Sequence, residues 1–204
     1  MFKEGWLHPE TVPLVTAIYL ASKSELQNSF RGKRFDKWRK KYGNGKFVER
    51  FHGTTRLCKV GDSGSELWRC GQAGCYLCSI LRTSFDVGKA NSKGMFGKGI
   101  YTTRASSTNI YTNSNTLSEN RAILICRVVA NRPERLSKAD NEKNGVRAGF
   151  NSVEGLTKSD GGGLNYPETV VYWNNAIVPV GLVVYRERST WQAIKATVGQ
   201  LLDS

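Results

Sequence analysis

Several things are scarce in this chain, and each scarcity excludes something. Acidic residues are outnumbered, 17 Asp and Glu against 30 Lys and Arg, which leaves a formal charge of +13. Such an excess points to an anionic partner, whether nucleic acid, acidic protein or dinucleotide. No apolar run approaches the roughly 20 residues of a bilayer-crossing helix. Met1-Phe2-Lys3-Glu4-Gly5-Trp6 lacks the apolar core of a secretory leader. Internal repeats and interdomain linkers are also missing, so the expectation is one soluble domain over 1–204, nuclear or cytoplasmic, with no membrane partner and monomeric. A hydrophobic fraction of 39% with 23% charged residues is that of a folded chain, neither disordered nor collagen-like.

What is there begins with helix signals. Thr11 with Pro13 behind it, then Val15, Ile18 and Tyr19, predicts a first helix. Ser24-Glu25-Leu26-Gln27 reads as a capping box that opens a second. Beyond Gly32 the cations Lys33, Arg34, Lys37, Arg39, Lys40 and Lys41 interleave with Phe35, Trp38 and Tyr42. Two readings stand: a solvated helix face with its aromatics in the core, or a nucleic-acid surface from Lys33 to Lys41.

After Gly43-Asn44-Gly45 the texture becomes strand-like. Candidate strands run from Lys46 to Phe51, Gly99 to Thr102, Ala122 to Ala130, Glu168 to Trp173 and Val180 to Arg186. The third and fifth are rich in β-branched residues and should be central. Asn131 to Asn165 is polar and Gly-rich and reads as a long loop. From about Thr190, Trp191, Ile194, Val198 and Leu201 predict a final helix docked on the body.

Five cysteines are an odd number, and four are crowded, which argues against a disulfide framework. Cys58, Cys70, Cys75 and Cys78 have the spacing C-x11-C-x4-C-x2-C, whose closing C-x2-C is a common zinc spacing, and four thiolates would close a tetrahedral structural zinc site at 58–78. The competing reading is four unligated thiols. Cys126, in a predicted central strand, reads as an apolar filler.

Three segments carry the functional reading: Phe51-His52-Gly53-Thr54, Phe96-Gly97-Lys98-Gly99-Ile100-Tyr101, and Tyr166-Pro167-Glu168-Thr169-Val170-Val171-Tyr172. Singly each is weak. In this order, with Gly149-Phe150-Asn151-Ser152-Val153 before the last, the chain from about Val12 to Tyr185 resembles the catalytic domain of the poly(ADP-ribose) polymerase-like ADP-ribosyltransferases. The diphtheria-toxin class of these enzymes carries a His-Tyr-Glu triad on three strands. The resemblance implies an α+β fold in which two packed, mainly antiparallel sheets form an NAD cleft, flanked by N-terminal helices and a C-terminal helix.

It also implies roles. His52 would bind ribose hydroxyls of NAD+, and the Gly53 backbone the nicotinamide amide. Tyr101 and Tyr111 would sandwich the nicotinamide ring. Thr108 would meet its carboxamide, with Ser106 and Ser107 as rivals because the stretch after Tyr101 is one residue short. Glu168 would bind the 2′-hydroxyl of the nicotinamide ribose and stabilise an oxocarbenium-like transition state. The implied activity is transfer of single ADP-ribose units to a protein acceptor, or to DNA, RNA or water. An inactive NAD-binding or nucleic-acid-binding module on the same scaffold is the non-enzymatic alternative. Pro167, directly before Glu168, departs from the family pattern and bears on the acceptor side.

Overall fold

The computed structural model describes residues 2–8, 10–107 and 117–189. It is an α+β fold, a large mixed sheet of eight strands with few helices.

The chain opens with a strand where a helix was expected. β1 (Thr11–Leu20) pairs antiparallel with the last strand, β8 (Ile177–Ser189), from Thr11 opposite Ser189 to Leu20 opposite Gly181. Thr11, Val12, Val15, Thr16 and Ile18 are β-branched, and their stiff side chains suit a pleated surface better than a helix. Pro13 is tolerated because β1 is an edge of the sheet. The apolar positions that mimic a helical period are, in the strand, split between its two faces.

Two helices follow. α1 (Lys23–Asn28) is capped by Ser22, two residues before the expected cap. The Ser22 side chain accepts from the Glu25 N–H at 3.1 Å, and the Glu25 carboxylate accepts from the Ser22 N–H at 2.7 Å. Ser29 ends α1 and caps α2 (Phe30–Tyr42), accepting from the Gly32 N–H at 3.0 Å. A Cβ on Gly32 would stand 1.7 Å from the Leu26 carbonyl oxygen, so only glycine permits this close break between the helices. α2 buries Phe35 and stacks Trp38 against Tyr42 and Trp173, with ring centroids 4.2 and 5.5 Å apart. Lys33, Arg34, Lys37, Lys40 and Lys41 are exposed. The aromatics therefore point inward.

The remaining strands are β2 (Val48–Gly53), β3 (Ile100–Thr103), β4 (Arg121–Val128), β5 (Pro133–Leu136), β6 (Ser152–Gly155) and β7 (Glu168–Val171). The sheet order is β1-β8-β4-β2-β3-β7-β6-β5, antiparallel except for the parallel β5–β6 pair. β4 and β8 are the long central strands foreseen. The eight strands form one hydrogen-bonded sheet instead of two packed ones, but it is joined in the middle by a single pair, Phe51 opposite Thr103. That pair is the seam between the half of the sheet carrying β2 and the half carrying β3.

The expected loop over 131–165 contains β5, β6 and a 3-10 turn. Pro-Glu-Arg-Leu and Ser-Val-Glu-Gly are too short and polar to announce strands. Glu134, only 2% exposed, holds β5 to the following chain by accepting from Lys143 Nζ at 3.1 Å and from the Arg147 N–H and Nε at 3.1 and 2.8 Å. α3 (Tyr76–Thr83) buries Leu77 and Cys78. The main core gathers Leu77, Phe85, Leu124, Cys126, Val171 and Val184. The expected C-terminal helix lies outside the described residues. No helix among the described residues is long and apolar enough to cross a membrane.

Candidate functional site

The short seam between β2 and β3 is where the sequence motifs meet. β3 has β2 on one side and β7 on the other. Register aligns Phe51, Thr103, Glu168 and Gly155 across four strands, and Tyr101 faces Val170 in the neighbouring row. Register partners share a face of an antiparallel sheet, so Tyr101 and Glu168 project from the same one.

His52 follows the last β2–β3 pair. Its Nδ1 lies 2.7 Å from the Tyr101 carbonyl oxygen, which can only accept, so Nδ1 carries the proton. In the neutral ring Nε2 is then an acceptor, and burial favours that neutral form by pulling the His52 pKa below its ordinary 6.5. By strand alternation His52 leaves from the other face, edge-on to Phe85 at 4.9 Å between ring centroids. His52 thus touches the backbone of Tyr101, while the side chains of Tyr101 and Glu168 leave from the opposite face of the sheet, so the three side chains do not share one face.

The turn before β3 is built to hold Tyr101. Its hydroxyl accepts from the Phe96 N–H at 2.8 Å and donates to the Gly97 carbonyl at 2.9 Å. The Tyr172 hydroxyl donates to the Phe96 carbonyl at 2.7 Å. Gly97 has φ of 69°, and a Cβ there would stand 1.7 Å from the Lys143 carbonyl oxygen. The glycine-rich motif is therefore a packing requirement that fixes the tyrosine ring.

Glu168 opens β7, and the chain leading into it is anchored by the Thr103 hydroxyl, which donates to the Pro167 carbonyl at 2.7 Å. Its Oε2 is buried without a hydrogen-bond partner among the described residues. Burial raises the Glu168 pKa above the usual carboxylate range. A buried carboxylate oxygen without a donor is costly, and structures keep few of them.

Ser106 and Ser107, the rivals for a carboxamide contact, are fully buried and committed to the N-terminal segment. Ser106 Oγ donates to the Phe2 carbonyl at 2.5 Å, and Ser107 Oγ accepts from the Leu7 N–H at 2.9 Å. Thr108 and Tyr111 lie outside the described residues. The sequence reading missed this use of the N-terminus, in which Phe2 and Trp6 pack on Phe51 and Tyr185. Two aromatics in the first six residues were the available signal.

The second site is the cysteine cluster. The Sγ atoms of Cys58, Cys70, Cys75 and Cys78 all lie within 4.8 Å of one another, with Cys58 3.8 Å from Cys75 and 3.5 Å from Cys78. Tetrahedral zinc with bonds of about 2.3 Å separates its sulfurs by about 3.8 Å, so the donor set fits a metal ion. The Leu57 N–H points at Cys75 Sγ from 3.4 Å, a contact that favours a thiolate. Burial, with the neighbouring thiols, raises the pKa of Cys58 and Cys78. A cation would relieve that. Cys126 is buried in β4 in the same core as Cys75 and Cys78 but is not one of the four clustered sulfurs, as an apolar filler would be.

Comparison of the chain with protein-family models finds no match, and neither does a search of curated proteins.

Proposed function

We propose that the chain is an NAD-dependent ADP-ribosyltransferase whose donor site lies along the seam between β2 and β3. The observation that carries this reading is Glu168 Oε2, a buried carboxylate oxygen lacking a donor, one strand from the His52–Tyr101 contact. A sugar hydroxyl would supply the missing donor once the side chain turns Oε2, closed to solvent in this structure, toward the ligand. His52 Nε2, a bare acceptor on the other side of β3, would take a second ribose hydroxyl of the same extended dinucleotide, and the ring of Tyr101, held by its own hydroxyl, would stack on the nicotinamide.

In the reaction the bond between nicotinamide and ribose C1′ breaks, and its electron pair leaves with the nicotinamide nitrogen. A nucleophilic oxygen, nitrogen or sulfur of the acceptor then bonds to C1′ and releases its proton to solvent. Positive charge on the sugar peaks between these events. A fixed carboxylate beside it binds the transition state better than the ground state. Transfer of single units to a protein acceptor is the form we favour. Nicotinamide release from labelled NAD+, followed by intact-mass analysis of candidate acceptors, tests it; a chain that binds NAD+ but releases no nicotinamide would be an inactive module.

One observation favours a second acceptor. Lys33, Arg34, Lys37, Lys40 and Lys41 are exposed along α2 and form no ion pair among the described residues. Such a stripe would neutralise phosphates of DNA or RNA. Adding an oligonucleotide to the same assay, at low and high salt, separates the two acceptors.

The cysteine cluster we assign to structural zinc. It has no open position for a substrate, and it ties down the chain between the motifs of His52 and Tyr101.

A further inference from the structure

The segment between Cys58 and Cys70 is pinned from Gly61 to Glu66, and just beyond it holds Trp68 out in solvent at 90% exposure, with Leu67 beside it at 49%. The Gly61 N–H donates to the Glu66 carbonyl at 2.8 Å, the Tyr19 hydroxyl to the Gly61 carbonyl at 3.2 Å, and Arg56 to Asp62 Oδ1 at 2.7 Å. A segment fixed this way has not left its indole outside through lack of order. Tryptophan is among the most favourable residues to bury at an interface and is seldom so bare.

Beside Leu67 lies a cavity of about 490 Å³ between the end of β1, α1 and this segment. Its walls include Leu20, Leu26, Leu81 and Leu182, and its rim carries Arg31 and Arg69. The two guanidinium groups share the Leu81 carbonyl at the end of α3, at 2.9 and 3.1 Å. They form no ion pair among the described residues; Glu25, in the same wall, is engaged by Ser22.

We propose that this surface docks a short segment of a partner protein in which apolar side chains are flanked by carboxylates. The inference does not rest on the transferase reading. Aliphatic walls and an exposed indole call for apolar side chains, which a sugar-phosphate backbone does not offer. The paired arginines call for carboxylates. A second copy of this chain is disfavoured by its own charge of +13.

The test is a selection of displayed random dodecapeptides on the full chain, followed by fluorescence anisotropy of the enriched peptides. Expected winners combine Leu, Phe or Trp with Asp and Glu. Trp68→Ala and Arg69→Glu each weaken their binding by about tenfold or more, while Lys37→Glu and Glu168→Gln leave it unchanged. Trp68 is exposed and makes no hydrogen bond among the described residues, so Trp68→Ala keeps the wild-type thermal midpoint. Arg69→Glu gives up the bond to the Leu81 carbonyl at an exposed site and shifts it only slightly, and both midpoints are measured alongside. Four results would overturn the proposal: no enrichment over a protein-free selection, winners without acidic residues, binding indifferent to Trp68→Ala, or a dimer or oligonucleotide complex in sedimentation that disappears with Trp68→Ala. Loss of nicotinamide release in the Glu168 variant with peptide binding intact would keep this surface and the transferase cleft separate.

Discussion

His52 donates from Nδ1 to the carbonyl oxygen of Tyr101 across 2.7 Å, bridging two strands at the point where their backbone ladder gives out. A side chain thus does what a backbone N–H does elsewhere in the sheet. It needs only the neutral ring, which leaves Nε2 free to accept.

A pH dependence follows, with its sign fixed by burial. The folded pKa of His52 is below the ordinary 6.5, so the unfolded chain takes up this proton first as pH falls. Stability due to His52 is therefore full above that value and is lost as pH drops toward the folded pKa. Glu168 works the other way: its raised pKa makes the native state take up a proton before the unfolded chain. Urea midpoints between about pH 7.5 and 5.5 should fall more for wild type than for His52→Gln, whose amide keeps a donor but does not titrate. Comparing the two chains cancels the Glu168 contribution. Parallel curves would mean that the imidazole is solvated.

Glu168→Gln should separate activity from stability. If the proposed transferase reading holds, loss of the anion should slow nicotinamide release by roughly a hundredfold or more while NAD+ binding persists. At neutral pH the same change removes a buried, unpartnered charge, so thermal unfolding should show a gain of about 1 kcal/mol. Unchanged turnover removes Glu168 from the mechanism. A loss of stability would mean that the carboxylate has a structural partner.

The sequence made the central strands legible because β4 and β8 are long runs of β-branched residues buried on both sides. It made the turn before β3 legible because Tyr101 bonds locally to Phe96 and Gly97, although what Gly97 must avoid, the Lys143 carbonyl, is distant in sequence. It misled at β1, where Val15, Ile18 and Tyr19 fit a helical period, although their places in the strand follow from pairing with residues some 165 positions away. β5 and β6 escaped for the same reason: four-residue segments of mixed polarity become strands only once they pair with each other and Glu134 has found Lys143 and Arg147. The orphaned oxygen of Glu168 was invisible as well, because burial of a strand's first residue is a tertiary fact.

Arg56 should prove one of the most sensitive positions outside the site. It is 1% exposed and donates to the Val60 carbonyl at 3.0 Å, Asp62 Oδ1 at 2.7 Å, Ser118 Oγ at 3.0 Å and the Asn120 carbonyl. Arg56→Met strands Asp62 and two carbonyls, and should cost about 3 kcal/mol in chemical denaturation. Because Arg56 fixes the start of the cysteine segment, the variant should also lose metal faster to a chelator. A cost under about 1 kcal/mol would mean that water replaces the guanidinium.

The metal prediction has an internal control. Protein purified without added zinc should carry one equivalent by mass spectrometry, and chelation should lower the thermal midpoint, since a closed four-thiolate site contributes its binding energy to the folded state. Cys78→Ser breaks the set and should reduce both metal content and stability. Cys126→Ala removes an equally buried thiol from the same core, one that is not among the four clustered sulfurs, so it should cost stability through packing alone and leave the metal in place. Zinc below half an equivalent in wild type would count against ligation. If both variants lost metal equally, the loss would follow from general unfolding and not from the four sulfurs, and the segment between His52 and Tyr101 would owe its shape to Arg56 and Tyr19 instead.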